Sequence, residues 1–357
     1  MRALVLREYG TLEVAETPRP EPVVGEVLIR IEACGICGSD VHGYDGSTGR
    51  RIPPVVMGHE AAGTVAALGP HVEGFCIGDR VTFDSTVYCG ACPFCLRGDV
   101  NLCERREVVG VSCGEYRRAG AFAEYVVVPQ RILYKLPDDL PFADAAMLEA
   151  VSVALHAVRL GGEPRAQNTA LVIGAGMIGL LTLQAARAAG YGRVLITDTD
   201  ETRLAMAAGL GAEETLLAGD DLTAEILRRT EGFGVDTVFE AVGHAQTVAT
   251  AIDCVRKGGT VVLIGNVSPE VRLPLQKVVT RQIRLQGSAA SAGEYPLAME
   301  RIRTGAIQVS PLISAVAALE QGPEWFARLH GREPGLMKVV LSPTVSNIVA
   351  KESEVLV

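Results

Sequence analysis

The chain reads as an α/β protein in two parts: a β-rich region of short strands, then a doubly wound parallel sheet with its helices. Three observations predict this. The texture changes near Ser152, residues 169–189 form a strand, a glycine turn and a helix in succession, and 357 residues suffice for two domains with cores of their own.

The first 150 residues hold β-leaning runs such as Val27–Ile31, Ala61–Leu68 and Ala123–Val128, divided by Gly and Pro turns. Beyond Ser152 the pattern becomes strand then helix: Ala170–Ile173, Ile178–Ala189, Arg193–Thr197, Glu201–Leu210 and Glu214–Leu217, then strands Val235–Glu240 and Thr260–Ile264. Such alternation predicts a parallel sheet whose crossovers are helices. Arg256-Lys257-Gly258-Gly259 is expected to stop a helix before a buried strand, and Ile283–Gln286 supplies a sixth and last strand. After Ala292, a helix at Tyr295–Thr304 and a strand at Met337–Leu341 are expected to return to the first domain. The expected domains are therefore residues 1–151 with 293–343, and 152–292, followed by a tail, 344–357, to which no role is assigned.

Composition narrows the partners. Hydrophobic residues make up 48% of the chain and charged residues 21%, an ordinary globular balance. A net charge of -9 argues against nucleic acid, whose phosphates call for a basic face. Residues 169–186 carry no charge, nearly the length of a membrane span, but Gly174, Gly176 and Gly179 divide them into strand and helix, so no membrane partner is expected. Nine cysteines, an odd number and clustered, fit reduced metal-binding thiolates. The first eight residues break into charge too early for the apolar core of a signal peptide, and a cytoplasmic location is expected.

Cys89, Cys92, Cys95 and Cys103 lie in one Gly/Pro-punctuated loop, at spacings that let it wrap a single tetrahedral zinc ion. Four thiolates leave no open position, so that zinc is expected to be structural; free buried cysteines or two disulfides are the alternative. A second set, Cys37 with His59 and Glu60, comes from separate segments, which suits an open site. Cys34 and Cys37 also form a Cys-x-x-Cys pair, the alternative redox reading.

Gly174-Ala175-Gly176-Met177-Ile178-Gly179 follows a strand and opens a helix, the pattern that lets backbone approach a pyrophosphate at a helix N-terminus. Asp198 ends the next strand 24 residues after Gly174, placed to accept ribose hydroxyls. A carboxylate there repels a 2′-phosphate, so NAD is expected over NADP, with Arg203 as the counter-hint. Val242 and Ile264, at the ends of two further strands, are assigned to the same coenzyme site. His71, His156, His244 and His330 show no partner pattern and are read as structural.

Gly58-His59-Glu60-x-x-Gly63 with Gly69 and Val72, the four-cysteine loop, Gly120-Ala121-Phe122-Ala123-Glu124-Tyr125 and the Gly174 fingerprint occur in this order. In that order the chain resembles the zinc-containing medium-chain alcohol dehydrogenases over residues 1–343. Residues 145–157, with Glu149 placed 25 residues before the fingerprint, are similar to the sorbitol (polyol) dehydrogenase branch. The resemblance implies a GroES-like catalytic domain, a six-stranded Rossmann domain, and two zinc ions per subunit. It implies a catalytic zinc held by Cys37, His59 and a carboxylate from Glu60 or Glu149, one glutamate ligating while the other stands behind it. Ser39 would hydrogen-bond the alcohol and, with the ribose hydroxyls and His42, relay its proton to solvent. A small-molecule alcohol would pass hydride to NAD, and a homo-oligomer, dimer or tetramer, would form through Ile283–Gln286.

One departure bears on the substrate. The branch carries an arginine and an aromatic pair after its last sheet strand, whereas this chain reads Gly287-Ser288-Ala289-Ala290-Ser291-Ala292-Gly293-Glu294-Tyr295-Pro296. A different polyol, a sugar phosphate or a vicinal diol then becomes admissible, with Tyr44, Tyr116 and Arg117 as substitute contacts. Threonine or butanediol dehydrogenase activity, and a non-catalytic nucleotide-binding protein, are the alternatives.

Overall fold

The computed structural model describes residues 1–112 and 118–345. Two units emerge: Met1–Glu149 joined by Val309 onward, and Ala150–Gln308. The chain crosses once near residue 150 and again at 308, later than expected. Helix Tyr295–Arg303, expected in the first domain, belongs to the second unit, where Tyr295 and Ala298 are fully buried.

The first unit is built on a seven-stranded sheet. Its spine runs Leu133–Lys135, Arg80–Phe83, Glu60–Leu68, Glu26–Gly35, Lys338–Ser342 and Ile313–Ala318, with Tyr125–Pro129 also on Glu26–Gly35. Strand Lys338–Ser342 pairs antiparallel with the end of Glu26–Gly35, Val340 opposite Gly35 and Leu341 opposite Cys34. Glu60 also lies opposite Gly35. Gly35 and Val340, about three hundred positions apart, thus meet on interior strands of the sheet. Beneath them Leu4, Ile29, Ile31, Met57, Phe83, Phe122, Phe326 and Leu341 form a common core.

The second unit is a six-stranded, all-parallel sheet in the order Glu214–Leu217, Arg193–Asp198, Thr169–Ile173, Val235–Glu240, Val255–Leu263, Arg284–Gly287. Thr169–Ile173 is central and buried along Ala170–Ile173, which explains its unbroken apolar run: helices cover both faces of such a sheet. The expected stop at 256–259 is corrected. Helix Ala245–Cys254 ends at Cys254, and residues 256–259 already belong to strand Val255–Leu263, whose register shifts against Val235–Glu240. The two glycines accommodate that irregularity within the strand: a Cβ at Gly259 would lie 2.7 Å from the Asp236 carbonyl oxygen.

Among the described residues, no helix is long and apolar enough to cross a membrane. Thr169–Ala189 is a strand, a turn and a 13-residue helix.

Candidate active site and metal centres

The four loop cysteines converge. Their sulfurs lie within 4.8 Å of one another, with Cys92 Sγ to Cys95 Sγ at 3.5 Å and Cys89 Sγ to Cys95 Sγ at 3.9 Å. Those separations bracket the tetrahedral edge of about 3.8 Å that Zn–S bonds of about 2.3 Å require, and are far beyond a disulfide bond of about 2.05 Å. Backbone N–H groups donate to the sulfurs: Ala91 and Cys92 to Cys89, Cys89 itself to Cys103. The Ala91 and Cys92 N–H donors, Ala91 first, bring the Cys89 thiol down to about 6, while burial pushes the Cys95 thiol up to about 12. The donor set fits a closed structural zinc.

A second group unites Cys37, His59 and Glu60, whose donor atoms also lie within 4.8 Å of one another. Cys37 caps helix Gly38–Tyr44, its sulfur accepting the Ser39 N–H at 3.4 Å. His59 precedes strand Glu60–Leu68, and Glu60 opens it. His59 Nδ1 faces Asp40 Oδ1 at 3.4 Å but makes no hydrogen bond, leaving Nε2 as the nitrogen available to an ion. Burial disfavours a charged imidazole here, yet Asp40 outweighs it and holds His59 well above its usual range. A carboxylate on the far ring nitrogen is the usual support for a metal-binding histidine, so the trio fits a metal.

Besides Asp40, two charged partners were not read from the sequence. Lys338, 2% exposed, donates from Nζ to Glu60 Oε2 at 2.6 Å and to the Ile36 carbonyl at 3.1 Å. Arg51, 3% exposed, donates to Asp40 Oδ1 from Nε at 3.2 Å and Nη2 at 2.9 Å, and from Nη2 to Ser39 Oγ at 3.2 Å. Their signal was a long-range strand pairing for Lys338 and a loop contact for Arg51, neither of which leaves a local motif. Gly35 makes room for this arrangement, since a Cβ there would sit 2.4 Å from Glu60 Oε2.

Glu149, at the start of helix Leu148–Leu160, stands outside the 4.8 Å trio but inside its electrostatic field. Burial pushes its carboxyl up to about 7, with His59 pulling down and Glu60 and Asp84 pushing up. Ser39 and His42 lie three residues apart on helix Gly38–Tyr44, hence on neighbouring positions of its surface. Cys34 is buried and is not part of the donor trio. Tyr44, expected as a pocket contact, instead donates its hydroxyl to the Gly10 carbonyl and packs on Phe326. Tyr116 and Arg117 lie outside the described residues. Three of the histidines read as structural hold polar partners: His156 with Glu294, His244 with Ser268 and His330 with Asp45. Tyr295, the one aromatic residue in the departed segment, is buried within its own unit.

In the second unit the glycine turn has the geometry its sequence implies. Gly174 takes φ +96°, and a Cβ at Gly179 would lie 1.7 Å from the Gly174 carbonyl oxygen, whereas one at Gly176 would meet nothing within 4 Å. Helix Met177–Ala189, with Ile178 in its first turn, has no side-chain cap on Gly176, so its first N–H groups are open to phosphate. Asp198 ends its strand, Oδ2 accepting from the Ala175 N–H at 2.6 Å and Oδ1 from the Asp200 N–H at 3.0 Å. Val242 flanks Gly174, and the Ile264 N–H bonds the Glu240 carbonyl beyond the neighbouring strand. All stand at the carboxyl ends of parallel strands, where dinucleotides bind. Arg203 is 3.7 Å from Asp200 Oδ2.

Residues 24–138 match the alcohol dehydrogenase GroES-like domain, and residues 178–304 the zinc-binding dehydrogenase domain. The chain belongs to the zinc-containing medium-chain alcohol dehydrogenases. Among its relatives in this family, an uncharacterised zinc-type alcohol dehydrogenase-like protein of Escherichia coli is 36% identical, over 87% of this chain and 90% of its own. A sorbitol dehydrogenase of Pongo abelii is 35% identical over 91% of each. The crystal structure of an E. coli oxidoreductase/dehydrogenase of unknown specificity superposes with a TM-score of 0.90 at 33% identity, over 96% of this chain and 98% of that one. The chain is a zinc-dependent alcohol dehydrogenase of the sorbitol dehydrogenase-like branch that uses NAD(P).

Proposed function

We propose that the enzyme oxidises a secondary alcohol of a polyol or sugar alcohol to a ketone, with NAD as the hydride acceptor. The observation that carries this reading is the contrast between the sealed four-sulfur loop and the Cys37–His59–Glu60 trio, which uses three protein donors and leaves a fourth position for an alcohol. The sorbitol dehydrogenase relative supports a polyol as the substrate class.

When bound, zinc supplies a Lewis acid for the alcohol oxygen and the nicotinamide takes the carbinol hydride. The protein binds, orients and removes a proton. Ser39 accepts a hydrogen bond from the alcohol and takes its O–H proton as it passes its own toward His42 and solvent. Glu60 is the resting carboxylate ligand and Glu149 stands behind it. Cys37, Glu60 and Glu149 would leave a Zn²⁺ site with one net negative charge, and the Lys338 ammonium at 2.6 Å from Glu60 cancels it.

For the coenzyme, Asp198 supports NAD, and Arg203 lies 3.7 Å from Asp200 Oδ2. Strand Arg284–Gly287 closes one end of its sheet, with Leu275 and Val279 exposed on the preceding helix. That edge supports a homo-oligomer built by strand pairing.

An NADH-absorbance screen across polyols, polyol phosphates, vicinal diols and threonine, with NAD⁺ and NADP⁺ in parallel, tests the reading. Highest kcat/KM for an unphosphorylated polyol with NAD⁺ is expected. Turnover confined to threonine or butanediol would replace the substrate class, and a preference for NADP⁺ would overturn the coenzyme assignment.

A further inference from the structure

We infer that Arg51 is a positioning residue that couples the proton-accepting hydroxyl of Ser39 to the His59 side of the zinc site. The inference rests on the proposed role of Ser39. One buried guanidinium spans both arms: Nη2 donates to Ser39 Oγ at 3.2 Å, and Nε and Nη2 grip Asp40 Oδ1, which faces His59 Nδ1 at 3.4 Å. Asp40 also accepts the Cys37 N–H at 3.4 Å, so the same carboxylate reaches the backbone of a second metal donor.

Three features fit Arg51 for this. Its planar fork can serve two acceptors at fixed angles, which an ammonium cannot. The backbone beside it is pinned, because the Ile52 N–H donates to Ser112 Oγ at 2.6 Å and the Ser112 N–H to the Arg50 carbonyl at 3.1 Å. Its stem crosses helix Gly38–Tyr44 at Gly43, where a Cβ would fall 2.1 Å from Arg51 Cγ and 2.9 Å from its Cβ. That glycine has no positive φ to explain it; the passage of Arg51 does.

The consequence for proton transfer follows from counting sites on one oxygen. A serine hydroxyl has one hydrogen and two acceptor positions. With Arg51 filling one acceptor position, the other is left for the alcohol proton, and the hydroxyl's own hydrogen is directed onward. Ser39 is itself exposed, so without a donor from beneath its hydroxyl would rotate freely.

The test is a double-mutant cycle on the holoenzyme, with Arg51→Lys and Gly43→Ala each made in the native and Ser39→Ala backgrounds. Circular dichroism verifies folding, and Gly43→Ala removes no polar group, so it keeps the test alive should Arg51→Lys fold poorly. Expected is a kcat loss of roughly tenfold in the native background, the low end for support residues at metal sites, and no further loss with Ser39→Ala. The KM for NAD⁺ should not move. Cobalt affinity of the catalytic site, read by chelator competition, should fall roughly tenfold through the Asp40 arm. Equal kcat losses in both backgrounds would overturn the coupling to Ser39. Unchanged cobalt affinity would overturn the coupling to His59. If Ser39→Ala alone leaves kcat intact, the proton-transfer reading falls first and takes the Ser39 arm with it.

Discussion

The two metal centres of this enzyme are held in opposite ways. The four-sulfur loop takes every donor from residues 89–103 and supports its thiolates with its own backbone N–H groups. The second set gathers donors from residues 37, 59 and 60, and depends on Asp40, Arg51 and Lys338 to orient them and balance their charge. A site meant only to hold an ion can be local and closed. One meant to admit a substrate has a donor position left over, and its charge is balanced from outside the donor set.

Breaking the open site should have the largest effect. Cys37→Ser or Glu149→Ala is expected to abolish turnover while the dissociation constant for NAD⁺, measured by fluorescence titration, stays within about twofold, because the residues assigned to the coenzyme sit in a separate unit. Retained turnover would remove that residue from the catalytic assignment.

Lys338→Met probes the charge balance. It leaves the buried Glu60 carboxylate without its ammonium, and breaking a buried pair costs about 3–5 kcal/mol. A fall of that size in urea unfolding free energy is expected, with recovery of much of it when Glu60→Gln is added. No recovery would mean Lys338 acts on something other than Glu60.

Cys95→Ser sharpens the contrast from the other side. The closed loop should lose its zinc and become readily cleaved by protease, while Cys37, His59 and Glu60, which share no donor with it, keep theirs. Asp198→Asn should have the smallest effect: loss of charge-assisted hydrogen bonds worth roughly 1.5–3 kcal/mol raises the KM for NAD⁺ about ten- to hundredfold and narrows the gap to NADP⁺. An unchanged coenzyme ratio would contradict the role given to Asp198.

What was legible in the sequence follows the same division. The cysteine loop and the Gly174 turn are short-range patterns; the four sulfurs converge and Gly174 takes a positive φ. The parallel sheet was readable because buried strands leave unbroken apolar runs such as Ala170–Ile173. Lys338 was not, since only the pairing of Val340 with Gly35 brings that strand to Glu60. Arg51 was hidden in a loop whose meaning depends on where Asp40 lies. The second domain crossing was placed too early because helix Tyr295–Arg303 carries an apolar face with no mark of which core it joins. The glycine pair 258–259 suggested a helix end, although glycine serves a strand irregularity equally well.

Metal stoichiometry tests the central claim most directly. Element analysis of the zinc-replete protein should give two zinc ions per chain. Cys37→Ser should give one, still resistant to mild chelation, and Cys95→Ser should give one that chelators remove readily. A single zinc in the native protein, or loss of both from either variant, would contradict the account of two independent centres.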